Sequence, residues 1–183
     1  MGVQFGKLVF VPAPEALELV AKPVGEALGA MQNVGDVGVS EIDPTMSDTA
    51  AFCERYGLGM ETAANCVIVE GKRGEERQMA ACVVLATTRV DVNNTVKKLL
   101  DVKKVSFAQM EKAVEESGME FGAITPVGLP PSWPIFVDKR VADSERVIIG
   151  SGLRKSKFLV PGSFFQLLHN IQIVEGLGME RVV

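Results

Sequence analysis

The spacing of hydrophobic positions changes several times along the chain, and these changes predict strands and helices in alternation. Lys7–Val11 and Val37–Ile42 are short apolar or alternating runs, which indicates strands. Between them, apolar residues at helical spacing predict a helix that starts at Pro14 and breaks near Pro23. The first quarter of the chain is therefore expected to hold two strands around a broken helix.

The middle of the chain combines a capped helix with a hairpin. Ser47 is expected to cap a helix that runs to Tyr56 and stops at Gly57. Two β-branched runs, Cys66–Val69 and Met79–Thr88, flank a polar stretch that is punctuated by glycine. This arrangement is typical of an antiparallel hairpin.

The C-terminal half continues the alternation. Ser106 and Gln109 have the spacing of a capping box, which predicts a helix that ends at Gly118. Further elements are expected as a helix over Val92–Leu100, strands over Ile135–Val137, Arg146–Ile149 and Lys157–Val160, and a last helix from Pro161 to Asn170. The interleaving predicts one mixed α/β domain, and the hairpins indicate that its sheet is not purely parallel.

Composition narrows the class of protein. The 183 residues are 47% hydrophobic and 23% charged, which suits one globular domain. Neither a membrane-spanning run nor a secretory signal is recognisable, so we expect a cytoplasmic protein. With His169 as the only histidine and an odd number of cysteines, we expect no metal and no cofactor.

Charge is unevenly distributed along this acidic chain, whose formal net charge is −4. The stretch Lys139–Lys157 holds six basic and only two acidic residues. Such a stretch can meet a phosphate backbone, and it can equally be a solvated surface hairpin. The residues alone leave both interpretations open.

Glycine marks two candidate binding segments. The loop from Gly122 to Pro131 is too rich in glycine and proline for regular structure, and Gly150-Ser151-Gly152 separates two predicted strands. Glycine lets a ligand approach the backbone, and its amide groups can hold an oxyanion. A tight crossover loop and a turn are the alternative interpretations of these segments.

Several of these segments together resemble the YbaK/ProX family, which includes the editing domain inserted in bacterial prolyl-tRNA synthetases. The similarity covers roughly residues 39–174. Its most specific parts are Val105–Ala108, Gly122–Gly128, Pro134–Asp138 and Val147–Gly152, in matching order and spacing.

The resemblance implies a barrel-like mixed sheet surrounded by helices, and hydrolysis of the ester between a wrong amino acid and the 3′ adenosine of tRNA. The partner is then the acceptor end of a mischarged aminoacyl-tRNA. The positions that match the family's catalytic site are Asn65, Gly122 and Gly150. The expected substrate-binding positions are Ala123, Thr125, Ser151, Gly152 and Arg154.

One position departs from the family's pattern. The family usually carries a lysine where this chain has Asn65, so a neutral amide replaces a cation. Lys72 and Arg154 are candidates to compensate. The alternative hypothesis is a catalytically impaired protein that still binds a tRNA acceptor end, a nucleotide or a protein.

The N-terminal segment lies outside the resemblance. We interpret residues 1–36 as an extension of the same domain, and residues 37–183 as the editing-type unit. The amphipathic stripe in Met1–Gln32 supports a third hypothesis, an interaction protein in which this segment holds a homodimer together.

Overall fold

Two five-stranded sheets dominate residues 1–182, the part of the chain that the computed structural model describes. The strands are β1 (Val3–Phe5), β2 (Leu8–Pro12), β3 (Gly38–Glu41), β4 (Ala64–Arg73), β5 (Glu76–Leu85), β6 (Thr88–Val90), β7 (Lys104–Phe107), β8 (Ile135–Asp138), β9 (Val147–Gly150), β10 (Ser156–Val160), β11 (Ile171–Val174) and β12 (Gly178–Glu180). The helices are α1 (Lys22–Ala30), α2 (Thr49–Tyr56), α3 (Lys97–Leu99), α4 (Met110–Ser117) and α5 (Lys139–Ala142).

The sheets are mixed and curl towards each other. The first has the order β1-β2-β3-β10-β9 and is antiparallel throughout. The second has the order β11-β8-β5-β4-β7 and is parallel only where β8 meets β11 and β5. A bridge between Ala63 and Ile148 joins the sheets into a curled half-barrel. The predicted α/β class and the barrel-like mixed sheet are confirmed.

The hairpin of β4 and β5 forms the centre of the second sheet. Gly74 turns it with a φ of +61°, a left-handed conformation that suits glycine. Along β4 the side chains alternate between two clusters, so that Ile68 packs on the main core and Val69 on a second one. The strand is therefore buried on both faces over its middle section.

Residues 1–36 pack on the same body as the rest of the chain. Phe10 and Val24 are almost fully buried. Pro23 lies in the first turn of α1, where no backbone N–H is needed, so it starts this helix instead of breaking it. The prediction of a helix from Pro14 was therefore wrong, and two 3-10 turns precede α1.

Two predicted caps also needed correction. Asp48, and not Ser47, caps α2 by accepting the N–H groups of Ala50 and Ala51 at 3.2 and 3.3 Å. Ser106 is part of β7, so the capping box with Gln109 does not form. The helix stops were confirmed, since Gly57 and Gly118 adopt φ values of +70° and +68°.

The C-terminal region differs most from the prediction. A 3-10 helix over Gly162–Leu167 replaces the expected helix from Pro161 to Asn170, and β11 follows it. Strand β11 pairs in parallel with β8, which is distant in sequence, so no local turn signals it. No helix among residues 1–182 is long and apolar enough to cross a membrane.

Candidate active site

A cavity of about 750 Å³ opens between the start of α2, the start of β4, helix α4 and the two glycine segments. Of the predicted site residues, Asn65, Gly122, Gly150 and Arg154 line it. Two further cations, Lys157 and Arg181, lie on the same lining, where Asp48 is the only carboxylate among the described residues. The cavity therefore combines bare backbone with an excess of positive charge.

One side of the cavity, here called the glycine wall, is formed by Gly122, Gly150 and the backbone behind them. The two glycine segments are hydrogen-bonded to each other, because Gly152 N donates to Ala123 O at 2.8 Å and Glu120 N donates to Gly152 O at 2.9 Å. They therefore form a single wall. The N–H of Gly122, at a φ of +77°, has no protein acceptor among residues 1–182.

Close contact fixes the glycine wall in position. A Cβ at Gly150 would lie 2.7 Å from Ala123 O, a distance that real Cβ atoms do not reach. From behind, a Cβ at Gly152 would meet the Cβ of Ala21 at 2.5 Å, and one at Gly128 would meet Pro23 O at 2.5 Å. The N-terminal segment thus supports this wall directly.

Four of the predicted substrate-binding residues lie behind the lining. Ala123 and Gly152 are hydrogen-bonded to each other, and Thr125 is fully buried. The hydroxyl of Ser151 bonds to that of Ser156 at 2.6 Å. Since none of the four faces the cavity, their role is to hold the glycine wall, and direct contact with a substrate is not expected of them.

Another side, here called the helix wall, consists of Ser47–Ala50 at the start of α2 together with Asn65. Thr49 donates its hydroxyl to Asn65 Oδ1 at 2.7 Å, which leaves the Asn65 Nδ2 group free to donate into the cavity. The Ser47 hydroxyl is buried and has no partner among the described residues.

Lys157 crosses from one wall to the other. Its backbone is paired with Gly150, and its Nζ donates to the carbonyl oxygen of Ser47 at 3.0 Å. The ammonium group lies 5.4 Å from the ring centroid of Phe52, and no carboxylate among residues 1–182 comes within 4.0 Å of it. Only 7% of the residue is exposed.

Burial changes the titration of this lysine. Desolvation lowers the pKa of Lys157 to about 8, although Cys53 and Asp48 act in the opposite direction. At neutral pH, Lys157 is therefore still protonated and charged in most molecules. The cavity therefore contains a buried cation whose charge no neighbouring carboxylate neutralises.

Lys157 was missed as a site residue in the sequence, where it was one of the basic residues of Lys139–Lys157. That stretch does not form one surface patch. Lys139 and Arg140 pair with surface carboxylates, whereas Arg154 and Lys157 line the cavity. Lys157 differs from the other basic residues of this stretch because it lies in β10, a strand that is buried along its whole length.

Arg154 spans the mouth of the cavity. It donates from Nη1 to Phe121 O at 3.3 Å and from Nη2 to Pro44 O at 3.4 Å, which links the loop after α4 to the turn before α2. Lys72, the other residue suggested to compensate for Asn65, lies off the lining and pairs with Glu70 at 3.6 Å.

The remaining reactive side chains do not supply a nucleophile. Burial raises the pKa of the Cys66 thiol far above neutrality, so that it stays protonated. His169 is exposed and borders a separate cavity next to Trp133. Among residues 1–182, no group of three or more potential ligands could hold a metal ion.

Comparisons with known proteins agree with this architecture. A solved structure described as a "putative trans-editing enzyme for prolyl tRNA synthetase" is similar with a TM-score of 0.72 at 18% identity, over 93% of this chain and 99% of that one. A hypothetical protein of known structure matches with a TM-score of 0.66 at 19% identity, over 77% and 90% of the two chains. At these identities the likeness shows the fold.

Sequence comparison identifies the family. No curated protein is significantly similar in sequence. A family model, the aminoacyl-tRNA editing domain, matches residues 43–166, which is more than half of the chain and includes both walls of the cavity. This match does not favour the alternative of an impaired binding protein. The chain belongs to the aminoacyl-tRNA editing domain family, whose substrates are mischarged tRNAs.

Proposed function

We propose that this cavity hydrolyses the ester bond between a wrong amino acid and the 3′-terminal adenosine of tRNA, in the cytoplasm. The observation that carries the proposal is the convergence of Asn65, Gly122, Gly150 and Lys157 on one lining. A volume of about 750 Å³ falls in the range of small-molecule sites and suits an aminoacyl-adenosine.

The scissile carbonyl is assigned to the space beside Gly122 and Lys157. The N–H of Gly122 has no protein acceptor among the described residues, and the ammonium group of Lys157 has further N–H groups to donate besides its bond to Ser47 O. Donors that are fixed before the reaction stabilise the negative charge that develops on the carbonyl oxygen. An ester is an activated substrate, so a positioned water molecule is a sufficient nucleophile.

The terminal nucleotide is assigned to the rim of the cavity. Arg154 and Arg181 can pair with its phosphate, since guanidinium groups bind phosphate through two parallel hydrogen bonds. Phe121 and Met110 line the rim and are 59% and 45% exposed, which offers an apolar surface to the adenine base.

The pocket contains a cation even though Asn65 stands where the family usually has a lysine. Lys157 supplies one from β10, on a strand distant in sequence from Asn65. In this assignment Asn65 orients the aminoacyl group through its free amide N–H groups, and Lys157 provides the electrostatic stabilisation.

A panel of tRNAs mischarged with different amino acids tests the proposal. We expect the purified protein to release amino acid from at least one of them faster than buffer does. The Lys157→Met variant should lose this activity and the matched Lys155→Met variant should keep it, because Lys155 is off the lining. Failure of the folded protein to cleave any ester in the panel would remove the proposal.

The predicted homodimer through residues 1–32 and the boundary at residue 36 stay predictions. Size-exclusion chromatography of the full chain with Val9 and Val11, which are exposed on β2, both changed to Asp tests the dimer. A mass of one chain before and after the change would contradict it.

A further inference from the structure

A second groove, of about 480 Å³, lies beside β7 and is lined by lysines. Its basic residues are Lys72, Lys97, Lys103 and Lys104. The last three are exposed, and no carboxylate among residues 1–182 lies within ion-pair distance of them. Unpaired lysines that converge on one groove in an acidic protein indicate an anionic partner.

The carboxylate in the groove does not cancel this charge. Glu70 is paired with three cations: Lys112, Arg77 at 3.0 Å and Lys72 at 3.6 Å. The hydrogen bond from Lys112, opposed in part by burial, holds the pKa of Glu70 below its usual value. Glu70 and its three cationic partners therefore carry a net positive charge, to which the three exposed lysines of the groove add.

The β4–β7 pair connects the cavity to the groove, whose lining includes residues of both faces: Glu70 and Lys72 share the face of the cavity, and Val105 packs on the other one. Cys66 and Ile68 line the cavity, and alternation along β4 places Glu70 and Lys72 on the same face. On β7, Lys104 lies opposite Lys72, and the chain then leads to the cavity-lining Ala108.

The groove lies within reach of a strand that ends in the cavity. Four residues separate Ile68, on the cavity lining, from Lys72 in the groove, which is about 13 Å along β4. A few nucleotides of RNA cover this distance, so a strand whose terminal nucleotide occupies the cavity can bring its upstream phosphates beside the groove.

We infer that this lysine groove binds the phosphates of the tRNA strand that leads to the 3′ end. The inference rests on the proposed function for its orientation. Lysines act here as point charges, so the groove reads no bases and accepts any tRNA sequence. It supplies affinity for the RNA, while the cavity selects the amino acid.

The test compares two substrates with one variant. In Lys97→Ala/Lys103→Ala/Lys104→Ala, we expect KM for a mischarged tRNA to rise at least tenfold with kcat unchanged. The slope of log KM against log salt should fall by about one per lysine that contacts phosphate. Hydrolysis of the matching aminoacyl-adenosine, which lacks these phosphates, should keep its rate. Lys7→Ala/Lys22→Ala/Lys155→Ala, on three lysines outside both the groove and the cavity lining, is the matched control and should change neither substrate.

Two outcomes would overturn the inference while leaving the proposed function intact. One is an unchanged KM for tRNA in the triple variant. The other is an equal loss on both substrates, which would mean that the lysines act through the structure of the cavity.

Binding of deacylated tRNA, followed by fluorescence anisotropy, separates the two proposals. If no ester is cleaved but the triple variant binds deacylated tRNA at least tenfold more weakly than the native chain, the groove is supported and the hydrolase proposal fails. Poly-glutamate that binds as tightly as tRNA at the same salt concentration would overturn the assignment to RNA.

Discussion

The glycine wall and the helix wall of the cavity are held in place by different parts of the chain. Backbone atoms in direct contact hold the glycine wall, with Gly150 against the carbonyl of Ala123. Side chains hold the helix wall, through the bonds from Thr49 to Asn65 and from Lys157 to Ser47. The first wall therefore tolerates little change in shape, whereas the second can change its chemistry without moving the backbone.

The largest effect should come from placing a side chain in the glycine wall. In Gly150→Val the new Cβ would lie 2.7 Å from Ala123 O, so the two glycine segments must separate. We expect esterase activity to fall at least 100-fold, by about 3 kcal/mol in the barrier, and unfolding to become easier by about 1–3 kcal/mol. Esterase assays and urea unfolding measure the two effects.

Gly35→Val is the matched control for this change. A Cβ at Gly35 meets no atom within 4 Å, so that variant should keep both stability and rate. A Gly150→Val variant with the native rate would show that the contact between the two glycine segments does not matter for hydrolysis.

Removing the cation of Lys157 should separate activity from stability. In Lys157→Met we expect the rate to drop about 100-fold, as happens when one donor of an oxyanion site is lost. Stability should stay equal or increase, because an apolar chain of similar length replaces a buried unpaired charge. The two predictions are checked by measuring the hydrolysis rate and the urea unfolding curve of Lys157→Met, with Lys155→Met as control. A large loss of stability in Lys157→Met would indicate a structural role instead.

Changing Asn65 should have a smaller effect. Asn65→Ala removes neutral hydrogen bonds worth about 1 kcal/mol each, so a loss of roughly tenfold in rate is expected. Asn65→Lys/Lys157→Met moves the cation to β4 and should recover part of the activity that Lys157→Met loses. If the double variant is no more active than Lys157→Met, the site requires a cation that extends from β10, and one that extends from β4 cannot replace it.

The last expected effect is a pH dependence of stability. The lowered pKa of Lys157, about 8, means that the folded chain binds fewer protons at this site than the unfolded chain between about pH 8 and the ordinary lysine pKa of 10.5. Its contribution therefore makes the protein more stable as pH rises through that window. Cys53, whose pKa is raised by burial, acts the other way, and Asp48 and Arg154 also face the ammonium group.

Comparison of the native chain with Lys157→Met removes most of the Cys53 contribution, because Cys53 is present in both chains and only its interaction with Lys157 differs. Urea unfolding at several pH values should show the native chain gaining stability relative to the variant between pH 8 and 10.5. A constant difference across that range would contradict the lowered pKa.

The sequence predicted the glycine wall far better than the helix wall. Gly122 and Gly150 lie in short segments whose glycine content is visible in the sequence, and the resemblance to the family assigned both positions to the site. Lys157 was not recognised, because its contact with Ser47 joins residues that are 110 positions apart. Strand β11 was missed for the same physical reason, since its partner β8 is brought to it only by the fold.

The residues that cap helix starts were harder to predict from the sequence than the glycines that end the helices. Gly57 and Gly118 were identified as helix stops because a left-handed residue leaves one strong choice. Ser47 was taken for the cap of α2, although Asp48, the next residue, has the same ability. The difference matters for the site, because it leaves the Ser47 hydroxyl unpaired on the cavity lining.

The contact between Gly150 and Ala123 has a consequence for how preference among amino acids can change. A Cβ at Gly150 would clash with the carbonyl of Ala123, so a larger side chain at that position cannot be used to narrow the binding chamber. Its size can instead be changed at positions that already place side chains on the lining, at the start of α2 and β4 and along α4. We therefore expect exchanges at Thr49, Asn65 and Ala113 to alter which aminoacyl group fits.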